Sequence, residues 1–65
     1  MIYIRKFKSG KIAVFLRPCQ LITGKFMIET WLYDKNEWEL NINLPLFKSR
    51  NAAEKWLQKN YELLQ

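Results

Sequence analysis

The chain has no histidine, one cysteine, two glycines and two prolines in 65 residues. The missing histidine removes imidazole metal sites, Ser-His and Cys-His nucleophile pairs, and imidazole acid–base catalysis. Gly10 and Gly24 stand too far apart for a phosphate-cradling loop or a dinucleotide fingerprint. Cys19 has no second cysteine to pair with, so a reducing, cytoplasmic setting is expected. The longest apolar run, Ile12 to Leu16, is far short of the roughly 20 residues a membrane helix needs. Met1 is followed at once by a charged, strand-like segment, so no signal peptide is expected. Glu37 and Glu39 are the best remaining carboxylate pair, and a solvated strand accounts for them better than catalysis does. A non-enzyme without cofactor or metal is expected.

What the chain does have is apolar content and positive charge. Hydrophobic residues make up 49%, enough for a core and too many for a disordered tail. The length allows one small domain, residues 1–65, which buries only about 60% of its unfolded surface. Eleven basic against six acidic residues give a net charge of +5. Its distribution is uneven: residues 1–28 carry six cations and no acid, residues 29–47 are net −3, and residues 48–65 are net +2.

The C-terminal part reads as a helix over about 49–64. Ser49 is a candidate cap, and Asn51 with Glu54 is a second. Ala53, Trp56, Leu57, Asn60 and Leu64 fall on one stripe, widened by Ala52 and Leu63. That stripe needs a sheet to cover it. Residues 37–44 alternate: Trp38, Leu40, Ile42 and Leu44 on one side, Glu37, Glu39, Asn41 and Asn43 on the other. The apolar set is expected in the core. Residues 25–33 are apolar on both sides, and the turn decides between them. A three-residue loop Asp34-Lys35-Asn36, with Asn36 left-handed, faces Ile28, Thr30 and Leu32 inward and Met27, Glu29, Trp31 and Tyr33 outward.

Strands over about 2–7 and 11–17 form the first hairpin. A three-residue loop ending in Gly10 pairs Ile4 with Val14. A two-residue Ser9-Gly10 loop would set Arg5 against Val14 in the core. An unpaired buried arginine costs several kcal/mol, which favours the longer loop and turns Tyr3, Arg5, Lys11, Phe15 and Arg17 outward. Pro18 argues for a bend, and Ile22-Thr23-Gly24-Lys25 suggests a second hairpin turn ending in glycine. The expected architecture is therefore α+β: a four-stranded antiparallel β-meander with one C-terminal helix packed on one face.

The uncovered face would combine Tyr3, Phe15, Trp31 and Tyr33 with Arg5, Lys11, Arg17 and Lys25. Aromatic rings stack on unpaired bases, and cations hold phosphates. The same residue types are enriched in protein interfaces, and a homodimer could hide such a face. Nucleic-acid binding is the leading expectation. A protein-interaction module, such as a phage- or mobile-element-encoded inhibitor or adaptor, is the alternative.

Phe47-Lys48-Ser49, with Ala53 and Trp56 following, is similar to the sheet-to-helix junction of AP2-like DNA-binding domains at the N-termini of integrases. Gly24-Lys25-Phe26, opening a strand and then a hairpin, resembles their start. The likeness spans about residues 24–59. It implies a sheet whose open face enters the major groove of DNA, and by position it nominates Lys25, Met27, Trp31 and Tyr33. On it DNA stands ahead of RNA as the partner. Glu37 and Glu39 depart from the basic strand expected there, as does the preceding hairpin.

Overall fold

A computed structural model describes residues 2–6 and 13–63, apart from the side chains of Arg5, Lys6 and Ala13. The elements are β1 (Tyr3–Lys6), β2 (Ala13–Gln20), β3 (Phe26–Leu32), β4 (Glu37–Leu40), α1 (Arg50–Asn60) and β5 (Glu62–Leu63). They form one antiparallel sheet in the order β4-β3-β2-β1-β5, with the helix on one face. The class is α+β as expected, but the sheet has five strands and not four. The fifth is built from residues expected to end the helix.

Ser49 caps α1: its hydroxyl accepts the Ala52 N–H at 3.1 Å. Ala53 and Leu57 are fully buried one turn apart, while Ala52 and Asn60 of the expected stripe are exposed. Helix α1 ends at Asn60. The Asn60 amide donates to the Trp56 carbonyl at 2.7 Å, and the Tyr61 N–H donates to that of Leu57, also at 2.7 Å. Tyr61 is extended, and the next two residues pair with the outer edge of β1, Tyr3 with Leu63 and Ile4 with Glu62.

The two middle strands face as the sequence implies. Leu16, Phe26 and Ile28 are buried against the helix, and Phe15, Arg17, Met27, Glu29 and Trp31 occupy the other phase. Pro18 sits inside β2 opposite Ile28 without breaking it. Its missing N–H would point toward β1, whose ladder among the described residues has its last pair at Tyr3↔Leu16. Gly24 has φ +89° and ends the turn into β3. Its N–H donates to the Leu21 carbonyl, and the Leu21 N–H donates to that of Lys25, closing a three-residue loop as expected.

Both outer hairpin partners are displaced by one residue. The first ladder pairs Tyr3 with Leu16, Ile4 with Phe15 and Arg5 with Val14. Tyr3 therefore lies in the core, fully buried, and Ile4 belongs to the phase of Phe15. The penalty against Arg5 opposite Val14 assumed a closed core, yet Val14 is only half-buried at the sheet's end. Tyr3 buries a whole ring, and its hydroxyl donates to Glu54 on the helix. Residues 7–12, Lys11 among them, lie outside the described residues, as does the Arg5 side chain.

The second displacement follows the turn at 33–36. Asn36 is left-handed as expected, with φ 54°, but it closes a four-residue connection and not a three-residue one. The ladder pairs Trp31 with Trp38 and Leu32 with Glu37. Trp38 and Leu40 thus leave the core side, and Glu37 and Glu39 move onto it. β4 also ends at Leu40, short of the expected 44. The Asn41 side-chain oxygen accepts the Asn43 N–H at 3.0 Å, and the Leu44 N–H donates to the Asn41 carbonyl. That turn offers the backbone a better set of partners than an unpaired strand would. It exposes Ile42, returns Leu44 to the core, and brings Phe47 back to bridge Phe26.

Candidate functional site

The side of the sheet away from α1 carries a connected aromatic set. Trp31 and Trp38 face each other across β3 and β4 and meet edge to face, centroids 5.5 Å apart. Phe15 of β2 lies 6.1 Å from Tyr33, which follows β3 and is about half exposed. Between these pairs Arg17 crosses the sheet. Its guanidinium carbon stands 4.1 Å above the Trp38 ring, while its Nε donates to Glu29 Oε1 at 2.8 Å. Glu29 is the residue directly opposite Arg17 in the ladder, so register alone brings the ion pair together. The Arg17 side chain keeps 41% of its exposure, enough for its remaining guanidinium nitrogens to meet a ligand.

Of the eight expected site residues, the structure brings three together on this face: Phe15, Trp31 and Arg17, with Tyr33 at its margin. Tyr3 is removed from it, buried beneath the helix. Burial, and then the Glu54 hydrogen bond, hold its phenol above the usual tyrosine range. Lys25 is exposed at the turn before β3, paired in register with Leu21. Arg5 and Lys11 fall where side chains lie outside the described residues. Trp38 is the member that alternation missed. Its partner signal is present in the sequence all the same: two tryptophans either side of a turn pair across the strands when the loop is even-numbered and centred between them, as 33–36 is.

The same displacement takes Glu37 and Glu39 off the aromatic face. Expected there, they would have opposed an anionic ligand. Glu29 remains, bound to Arg17, and Glu62 takes the phase of Ile4 at the far edge. Cys19 lies opposite Met27, half-buried on the same side. Burial first, and the nearby Glu29 next, raise its thiol above the usual range. Among the described residues no group of three His, Cys, Asp or Glu is placed to hold a metal ion. No helix among them is long and apolar enough to cross a membrane.

Comparison with protein-family models, with curated proteins and with solved structures finds no match to this chain.

Proposed function

We propose that the chain is a non-enzymatic nucleic-acid-binding accessory protein that uses the uncovered face of its sheet. The observation that carries this reading is the array of Phe15, Trp31, Tyr33 and Trp38 around Arg17, on the face opposite the helix. Aromatic rings offer flat surfaces to bases, each worth about 1–3 kcal/mol when stacked. Arg17, Lys25 and the cations of the first hairpin, Arg5 and Lys11 among them, would meet phosphates. The net charge of +5 favours such a partner, and the acidic pair Glu37 and Glu39 lies on the other side of the sheet. The AP2-like resemblance nominates this same side of β3 through Met27 and Trp31. DNA is accordingly the partner we place first.

A second reading has its own support. Arg17 is already neutralised by Glu29, which makes the centre of the face closer to a protein interface than to a phosphate track. The chain would then be an inhibitor or adaptor acting through this face, or a homodimer closed across it.

Tryptophan fluorescence titrated with single- and double-stranded oligonucleotides at low salt separates the two. Nucleic-acid binding gives saturable quenching that weakens steeply with salt, and the anisotropy of a labelled oligonucleotide shows binding lost in the Trp31→Ala, Trp38→Ala double variant. No response to either oligonucleotide at low salt removes the reading. A chain that then runs as a dimer, or retains a protein partner after nuclease treatment, supports the second.

A further inference from the structure

β4 is the terminal strand of the sheet, and its far edge has no strand against it among the described residues. The opposite end of the sheet is finished differently, by β5 laid along β1. The Asn41 N–H bonds the Ile28 carbonyl at 2.8 Å, and antiparallel alternation then assigns the bonds to β3 to Glu39 and Glu37. The backbone groups of Trp38 and Leu40 therefore point at the free edge. Beside that strand is a groove of about 270 Å³, lined by Thr30, Leu32, Glu39, Leu40 and Ile42 together with Asn41 and Asn43. Ile42 is 83% exposed and Leu40 39%, apolar side chains left without cover.

Charge selects the occupant. Glu37 and Glu39 are both exposed and stand on one side of β4, within the net −3 segment of the chain. A second copy adding through its own β4 would set glutamate against glutamate across the new ladder, which is unfavourable. A strand with cations at alternate positions meets the opposite condition. Its Lys or Arg residues fall beside Glu37 and Glu39, and its intervening residues fall beside Trp38 and Leu40. We propose that the free edge of β4 and the groove beside it take up an extended cationic segment of another protein as an added strand. This edge adjoins the aromatic face at Trp38, but the inference rests on the strand's free backbone groups and on Glu37 and Glu39, not on nucleic-acid binding.

The test uses a seven-residue peptide alternating valine and lysine, with the valine–glutamate peptide as control. Amide hydrogen exchange and chemical-shift mapping are read on the whole chain. The expected result is saturable binding of the cationic peptide, with new protection at the Trp38 and Leu40 amides. The Glu37→Lys, Glu39→Lys variant, altered only at exposed positions, should keep its spectrum and bind at least tenfold more weakly. Equal binding of both peptides would overturn the inference, as would shifts centred on Phe15 and Trp31, or affinity unchanged in the charge-reversed variant. A wild-type dimer with those two amides already protected would also overturn it, assigning the edge to a second copy.

Discussion

Trp31 and Trp38 are direct cross-strand partners, and their rings meet edge to face on the side of the sheet the helix leaves open. They occupy a non-hydrogen-bonded pair, the closer of the two antiparallel spacings, which is why two large rings can touch without straining the strands. An aromatic pair of this kind is worth about 0.5–1.5 kcal/mol beyond the area it buries. Urea unfolding of Trp31→Ala, Trp38→Ala and the double variant should therefore show a coupling of about that size. Additive losses would mean the rings do not meet in solution.

The phenol of Tyr3 is held protonated by burial and by its bond to Glu54, so its folded pKa is raised. In the alkaline range the folded state then retains a proton that the unfolded state has released. Stability from this group is complete below about pH 10, the unfolded tyrosine value, and is lost as pH rises through the higher folded value. Thermal melts between pH 9 and 12 should decline, with one tyrosine ionising late by ultraviolet absorbance. Tyr3→Phe should flatten that part of the decline and remove the late ionisation.

Leu57 is fully buried at the centre of the helix–sheet contact, with Leu16, Ile28 and Tyr3 around it. Cutting a buried leucine to alanine costs about 2–5 kcal/mol. A core in a chain this short seldom supplies more than about 3–5 kcal/mol in total. Leu57→Ala should consequently be largely unfolded at 25 °C by circular dichroism, whereas Ala52→Ser on the exposed side should melt near the wild-type temperature.

Cys19 should be a sluggish thiol. Its raised pKa, from burial first and then from Glu29, reduces the thiolate present near pH 8. Alkylation by iodoacetamide is expected to be slower than that of free cysteine. Glu29→Gln removes the acid and leaves Arg17 unpaired beside the thiol, so it should speed the reaction. A rate equal to that of free cysteine in the wild type would contradict the half-buried placement.

The facing of the two middle strands and the start of the helix were legible in the sequence, because each rests on local chemistry. Ile28 faces inward, Trp31 outward, and Ser49 caps as its side chain permits. What misled was loop parity. Each outer strand is attached to a middle strand through one connection, and one residue more or less in it inverts every side chain beyond. Alternation identifies Trp38 and Leu40 as sharing a side but carries no sign saying which side. At β1 the placement of Arg5 is not what decides the register: Tyr3 buries its ring and reaches Glu54 on the helix. β5 was illegible for another reason: two residues have no period, and their pairing depends on an edge sixty positions away. Phe15, Arg17 and Trp31 share the uncovered face as expected because they sit on strands β2 and β3, whose facing local chemistry sets. Tyr3 and Trp38 changed sides with theirs.

The pairing of Tyr3 with Leu63 also sets an order of events during synthesis. As the chain leaves the ribosome, β2, β3 and β4 can pair across short turns, and the helix can then settle on them. The outer edge of β1 stays open until residues 62 and 63 emerge, at the far end of the tract that builds the sheet. For most of its time on the ribosome the nascent sheet thus has an unfilled place beside its first strand, and a complementary strand from a neighbouring chain could occupy it first.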